Sequence, residues 1–212
     1  MADVNFYFDP VCPWAYITSR WVVEVQQQRG YDVSWKFISL YMINNDRGYS
    51  EGNKHHQDGH LLGLHGLRIA SAARAAAGND AVAAVYTALG KAIHADKRRP
   101  QNSTEMKGFA RTVLTEAGLN PQWADSATDD LHDEVIRYES THALNLTGKD
   151  VGTPILVFHP DKPNQASFFG PVISTIPRGP EALRLWDAVE TLATTSGMAE
   201  LKRSLRSAPN FD

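Results

Sequence analysis

Apolar and polar residues alternate with period two near the start of the chain, which is typical of β-strands. Residues 4–8 alternate in this way, and residues 33–37 do so again. Between them, apolar residues recur at helical spacing from Trp14 to Val25, and Gly30 is a typical residue at which to end a helix. The pattern predicts a strand–helix–strand unit whose two strands are parallel and joined by a right-handed crossover.

Strand patterns return in the last third of the chain. Residues 155–159 and 166–169 flank a turn-forming segment, so they are expected to pair as an antiparallel hairpin. Pro180 is expected to open a helix, because the apolar residues after it recur at helical spacing. A short helix is predicted over residues 199–205.

The long middle of the chain, residues 44–147, has helical rather than strand patterns. Residues 44–60 have no clear period and are expected to form a mobile connection, and an interruption between helices is expected at Gly78. Removing this block leaves the order β-α-β, β-β-α, the minimal thioredoxin arrangement. The predicted fold class is therefore α/β: a thioredoxin-like domain of residues 1–43 and 148–212, with a large all-helical insertion over residues 44–147. We expect the insertion to pack as a separate layer over one edge of the sheet.

Charge and composition argue against two classes of partner. The net charge is -3, and the short basic run 97–99 is no concentrated cationic patch, so we expect no nucleic-acid partner. No apolar segment approaches the roughly 20 residues that span a bilayer, and the first residues do not resemble a secretory signal. The chain has one cysteine and so no internal disulfide. Together these features favour a reducing cytoplasm.

That cysteine, Cys12, lies between the first predicted strand and the first turn of the following helix. Free N–H groups and the positive end of the helix dipole stabilise a thiolate at such a place, so we expect a lowered pKa and a reactive sulfur. The alternative is a small buried apolar residue, a common role for a lone cysteine. Position alone leaves both interpretations open.

The residues around Cys12 carry a resemblance to a known family. Residues 6–14, Phe-Tyr-Phe-Asp-Pro-Val-Cys-Pro-Trp, resemble the active-site segment of DsbA-like proteins, and most closely that of the mycothiol-dependent nitroreductase family with its Cys-Pro-Trp-Cys motif. The resemblance implies a thiol-dependent oxidoreductase that reduces nitro compounds or other small electrophiles. It further implies mycothiol, a low-molecular-weight thiol, as co-substrate and no tightly bound cofactor. It continues through segments 17–21, 150–154, 168–172, 176–179, 185–187 and 209–212.

The motif departs from the family at its second cysteine. Cys12, Pro13 and Trp14 are followed by Ala15, so no internal thiol can resolve a mixed disulfide on Cys12. Three interpretations remain open: a monothiol enzyme resolved by a small thiol or a redox-partner protein, a substitution introduced to trap a state, or a loss of redox function. A thiol transferase or isomerase without net redox change, of the glutathione-transferase-like type, fits a single thiol as well. A non-catalytic binding protein is the third class.

Four further residues are predicted at the thiol site. Thr153-Pro154 resembles the cis-proline loop that faces the cysteine in thioredoxin folds, which implies that Thr153 lies near the sulfur and can donate a hydrogen bond to a thiolate. Trp14 is either an aromatic wall for a planar substrate or the first residue of the buried helical stripe. Tyr16 lies off that stripe, and its hydroxyl can reach the cleft.

Other polar residues give weaker signals. A His-x-x-x-His pair with no carboxylate or cysteine pattern to complete it does not make a metal site, so no metal is predicted; the histidine-rich connection is instead a candidate lid. His94 and His142 are expected to be solvated, and Arg68 and Arg74 are candidates to bind a carboxylate of a small thiol. Dimerisation through apolar residues of the later helices stays open. The histidines of the connection are His55, His56, His60 and His65.

Overall fold

The computed structural model describes residues 2–49 and 54–212, with the side chains of residues 54 and 55 left out. Its sheet has four strands in the order β2-β1-β3-β4. The strands are β1 (Val4–Phe8), β2 (Val33–Phe37), β3 (Ile155–Phe158) and β4 (Ala166–Phe169).

The strand pairing follows the predicted arrangement. β1 runs parallel to β2 and antiparallel to β3, and β3 pairs with β4 as an antiparallel hairpin. Helix α1 (Pro13–Arg29) connects β1 to β2 and ends at Gly30, whose left-handed φ of 68° leaves its N–H free to donate to the Gln26 carbonyl. The α/β, thioredoxin-like fold class with a helical insertion is confirmed.

The remaining helices are mostly those of the insertion. They are α2 (Leu40–Arg47), α3 (Lys54–Gly90), α4 (Met106–Glu116), α5 (Asp133–Thr147) and, after the hairpin, α6 (Gly179–Thr194). Helix α3 is broken at Gly78, where φ is 79° and ψ is -167°, as its sequence indicated. A π-helical turn, Lys91–Ala95, follows α3 directly. No helix in the described ranges is long and apolar enough to cross a membrane.

Two local predictions were wrong. Residues 44–60 include the end of α2 and the start of α3 rather than one irregular connection; residues 50–53 of that segment lie outside the described part. Residues 199–205 form no helix. Leu201 and Leu205 are both exposed, so this short segment buries no apolar face that could offset the cost of helix nucleation.

The insertion covers the free edge of the sheet through side-chain hydrogen bonds. An edge strand exposes backbone N–H groups that attract other strands unless they are capped. Here side chains of α3 and α5 accept hydrogen bonds from this edge. The bonds run from Trp35 N–H to Asn79 (2.8 Å), from Phe37 N–H to Glu139 (2.8 Å) and from Ser39 N–H to Ser140 (2.9 Å).

The insertion is nevertheless not a separate layer. Tyr86 of α3 stacks on Phe8 of β1, with ring centroids 3.8 Å apart, inside the same apolar cluster that contains α1 and α6. On the other face of the sheet, Ala143 of α5 packs in a second cluster with Tyr7 and Val157. The predicted separate layer is wrong because helices of the insertion complete the core on both faces. The exact division at residues 43/44 and 147/148 stays a prediction.

Candidate active site

Cys12 is the N-cap residue of α1. Its backbone is extended, with φ -81° and ψ 113°, and its Sγ accepts a hydrogen bond from the Ala15 N–H at 3.5 Å. Pro13 occupies the first helical position, where a missing N–H costs no hydrogen bond. The loop from β1 is closed by the Cys12 N–H, which donates to the Asp9 carbonyl at 3.1 Å. The sulfur therefore lies at the carboxyl end of β1, as predicted.

The predicted lowering of the Cys12 pKa is wrong for this structure. The side chain is only 7% exposed, and burial raises the pKa from 9.0 to about 12. The N–H groups of Ala15 and Trp14 act in the opposite direction, while the negative charge of Asp9 adds to the increase. Loss of hydration outweighs the helix amides, so the thiol is protonated at neutral pH in this conformation.

Thr153 faces the sulfur, but through its backbone rather than its hydroxyl. Cys12 Sγ donates to the Thr153 carbonyl oxygen at 3.5 Å, and the Thr153 hydroxyl donates to the Tyr7 carbonyl at 3.0 Å. The prediction of a hydroxyl donor to the thiolate is therefore wrong. The Thr153–Pro154 peptide bond is cis. Because a carbonyl oxygen accepts a hydrogen bond from a thiol but repels a thiolate, this contact favours the protonated sulfur.

Asp9, which the sequence did not indicate as a site residue, lies completely buried three residues before Cys12. Its carboxyl oxygens accept hydrogen bonds from the N–H groups of Val11 (3.1 Å) and Leu40 (2.8 Å). Burial raises its pKa from 3.8 to about 7, although these two amides and the charge of Arg99 lower it. Asp9 thus ties the active-site loop to the start of α2 and couples electrostatically to the thiol.

Tyr16 and His94 form an aromatic contact beside the cysteine. Their rings stack with centroids 5.4 Å apart, and both side chains are buried. The prediction of a solvated His94 is therefore wrong, and the reach of the Tyr16 hydroxyl into the cleft stays a prediction. Burial lowers the His94 pKa to about 4, so the imidazole is neutral. Its Nε2 donates to the Pro10 carbonyl at 2.9 Å, which fixes the loop two residues before Cys12.

Trp14 and Ala15 complete the motif at different depths. Ala15 is fully buried beneath the sulfur, whereas Trp14 is half-buried. The guanidinium of Arg206 lies over the Trp14 ring, 5.9 Å from its centroid. Trp14 is partly buried and packs against the apolar core, so both interpretations of this residue stay open.

The two candidate arginines form ion pairs within the insertion. Arg68 makes two 2.7 Å hydrogen bonds to Asp133, and Arg74 donates to Glu139 at 2.8 Å. Both join α3 to α5 inside the insertion, and a role in binding a small-molecule carboxylate stays a prediction.

The histidines do not form a metal centre in the part of the chain that the structure describes. No three His, Cys, Asp or Glu side chains there are grouped to hold an ion. His60 pairs with Tyr49 at 2.8 Å, and His65 contacts the Ser103 carbonyl at 3.1 Å. His142 is exposed, as predicted, and the His55 side chain lies outside the described residues.

A thioredoxin-type sheet, a cysteine at the start of the first helix and a Thr-Pro loop opposite the sulfur together define a thioredoxin-fold thiol protein. The family comparison makes this specific: the model of the Rv2466c-like family, described as mycothiol-dependent nitroreductase Rv2466c, matches residues 11–203. The chain belongs to this family and is accordingly a thiol-dependent oxidoreductase. The family resemblance drawn from the sequence is confirmed.

One curated relative and two solved structures are similar to this chain over most of its length. "Uncharacterized protein Rv2286c" of Mycobacterium tuberculosis is 32% identical over 206 residues, which cover 96% of this chain and 82% of the relative. The cytosolic disulfide reductase DsbM of Pseudomonas aeruginosa is similar with a TM-score of 0.51 and 18% identity, over 77% of this chain and 87% of that one. A probable DsbA oxidoreductase of Streptomyces coelicolor has a TM-score of 0.56 and 15% identity, over 96% and 94%. At these identities the two structures support the fold alone.

Proposed function

We propose that this protein is a monothiol reductase in which Cys12 forms a mixed disulfide that an external low-molecular-weight thiol resolves. The observation that carries the proposal is the position of the chain's one sulfhydryl: it caps α1 and faces the Thr153–Pro154 loop, with Ala15 where a second thiol would lie. A sulfur at this place has the backbone amides needed to bind a thiolate, and no partner within the chain to resolve it.

The proposed cycle transfers two electrons from two external thiols. The Cys12 thiolate attacks one sulfur of a disulfide substrate, forming a mixed disulfide and expelling the other sulfur as a thiolate. A first external thiolate attacks the Cys12 sulfur of this adduct, expels the second substrate sulfur as a thiolate and leaves a mixed disulfide between Cys12 and the external thiol. A second external thiolate attacks the external sulfur of that disulfide and returns Cys12 as a thiolate. The substrate gains two electrons and two protons, and the two external thiols become one disulfide.

The burial of Cys12 implies that the thiol is unmasked before it reacts. Exposure to water or to a polar substrate reduces the desolvation that dominates its raised pKa. The N–H groups of Ala15 and Trp14 then remain as the local groups that favour the thiolate. The site is thus inert when closed and nucleophilic when open.

Family membership supports mycothiol as the thiol and a nitro compound as one substrate class. Reduction of a nitro group to a nitroso group consumes two electrons and two protons and releases water. Two thiols supply the electrons and protons when they are oxidised to one disulfide. The half-buried ring of Trp14 supplies a planar surface beside the sulfur for such a compound. A redox-partner protein and a reducing cytoplasm belong to the same proposal.

A thiol transferase or isomerase is the second candidate, because one cysteine is sufficient for that chemistry. In that case the small thiol adds to an electrophile, or adds and leaves again, and no disulfide of the small thiol accumulates. A binding protein without chemistry would leave the ligand unchanged and would keep its affinity in Cys12→Ser.

The test is a turnover assay with mycothiol and a nitroaromatic or disulfide substrate. The proposal predicts one equivalent of oxidised mycothiol for each two electrons gained by the substrate, and no turnover in Cys12→Ser. Product formation without oxidised mycothiol would favour the transferase, and equal turnover in Cys12→Ser would exclude Cys12 as the nucleophile.

A further inference from the structure

The segment that follows α6, residues 199–212, is docked back onto the candidate active site. It contains no helix or strand, and most of its side chains are exposed. Two contacts hold its last residues: the Asn210 N–H donates to the Ser174 carbonyl at 2.7 Å, and the half-buried Phe211 packs against the apolar core. Arg206 lies over Trp14 in the same segment.

Phe211 completes a cluster of three rings with Tyr16 and His94. Its centroid lies 5.7 Å from that of His94, with nearly parallel planes at 24°, and 6.1 Å from that of Tyr16. A single aromatic side chain from an otherwise exposed segment thus fills a place beside two buried rings.

These two residues are hydrogen-bonded to the backbone around Cys12. The Tyr16 N–H donates to the Cys12 carbonyl at 3.1 Å, across the first turn of α1. His94 holds the Pro10 carbonyl, two residues before Cys12. Phe211 therefore packs against two residues that are hydrogen-bonded to the backbone at Cys12 and just before it.

We propose that the face formed by Tyr16 and His94 is the ligand-binding face of this site, and that Phe211 occupies it in the free protein. The ligand that replaces Phe211 carries a planar unsaturated ring, since the buried rings it would contact are already arranged for stacking. Segment 199–212 and the ligand then compete for one surface, and displacement of the segment opens the thiol. This deepens the proposed function and rests on it for the role of Cys12.

The attachment of the segment is weak enough to be reversed. Leu205, in the same segment, is 88% exposed, and Leu201 is 75% exposed, so Phe211 is the large apolar side chain of the segment that the core retains. One backbone hydrogen bond and one half-buried ring anchor the end of the segment, which is typical of parts that open locally.

The experiment compares the alkylation rate of Cys12 by iodoacetamide in full-length variants. Phe211→Ala removes the ring, Phe211→Tyr keeps it, and Leu205→Ala is the matched control in the same segment. We expect alkylation about tenfold faster in Phe211→Ala, from loss of an aromatic contact of ordinary strength, and wild-type rates in the other two. An unchanged rate in Phe211→Ala, or an equal acceleration in Phe211→Tyr, would overturn the inference.

A second measurement uses the wild-type chain and so does not depend on the folding of a variant. Addition of 4-nitrobenzyl alcohol, an uncharged planar probe, is expected to speed hydrogen exchange of the Asn210 amide by breaking its bond to Ser174. No change in that exchange at saturating probe would contradict competition for one face. Faster alkylation in Phe211→Ala without any mixed disulfide on Cys12 would support the Phe211 inference and refute the proposed reductase. A mixed disulfide on Cys12 with no change of the alkylation rate in Phe211→Ala would support the reductase and refute the Phe211 inference.

Discussion

Gly63 of α3 tests whether the insertion positions the active-site loop. A Cβ at this glycine would lie 2.2 Å from Asp9 Oδ1 and 2.8 Å from Val11 Cγ2. The Asp9 carboxyl group has little freedom to move, since Asp9 is fully buried and is held by two backbone amides, and Val11 is buried as well. We therefore expect Gly63→Ala to disturb the loop that carries Cys12.

Gly108→Ala provides the matched control. Gly108 is exposed in the first turn of α4, and a Cβ there meets nothing within 4 Å. Both substitutions gain about 1 kcal/mol of helix propensity. Overpacking costs roughly 1–3 kcal/mol or more, and only Gly63→Ala incurs it. We expect Gly108→Ala to stabilise the chain by about 1 kcal/mol and Gly63→Ala to destabilise it by about 1–2 kcal/mol.

Urea unfolding followed by tryptophan fluorescence measures this difference directly. In thermal unfolding the two variants are expected to differ by roughly 4–12 °C in Tm, since 1 kcal/mol corresponds to about 2–4 °C at this chain length. Gly63→Ala is also expected to change the alkylation rate of Cys12, and Gly108→Ala is not. Equal stability of the two variants would refute the close packing of α3 on Asp9.

Three further predictions concern the loop itself. In Ala15→Cys the mixed disulfide on Cys12 should be resolved without external thiol, because the new thiol attacks it and forms an internal disulfide. Intact-protein mass spectrometry would show this disulfide as the loss of two hydrogens. A persistent adduct would contradict the placement of residue 15 beside the Cys12 sulfur. Because burial raises the Cys12 pKa from 9.0 to about 12, the thiolate fraction of Cys12 at neutral pH is about a thousandfold below that of an ordinary thiol. Alkylation of Cys12 should therefore be slower in the folded chain than in the urea-unfolded chain by a comparable factor. Similar alkylation rates in the two states would refute the burial of Cys12. Asp9 keeps a proton in the folded chain between its unfolded pKa of 3.8 and its folded pKa of about 7, so the free energy of unfolding should fall as pH rises through this window, by up to roughly 4 kcal/mol. Asp9→Asn should flatten this pH dependence. An equally steep pH dependence in the variant would mean that other groups cause it.

The sequence allowed the framework of the fold to be predicted because its signals are local. Alternation in residues 4–8 and 33–37 reflects strands that place every second side chain in the main core, and Gly30 and Gly78 mark a helix end and a helix break through their backbone conformation. The place of Cys12 at the start of α1 follows from the change of period alone. Helix α2 was missed because its mean pattern is polar and only Met42 and Ile43 are buried.

The environment of the thiol could not be predicted in the same way, because it depends on residues far away in the chain. His94 and Phe211 approach Tyr16 only after the insertion and the last segment have packed. The direction of the Cys12 pKa shift depends on this burial, which no local pattern reports. One signal was available: Asp9 directly follows an apolar strand, and an acid there is either exposed or bound by backbone amides.

The central claim is that Cys12 forms a mixed disulfide that cannot be resolved within the chain. Its most direct test is intact-protein mass spectrometry after incubation with oxidised mycothiol, followed by addition of the reduced thiol. We predict one adduct per chain, located on Cys12, stable until the reduced thiol is added and faster to form in Phe211→Ala. Absence of the adduct in both the wild-type chain and Phe211→Ala would contradict the account.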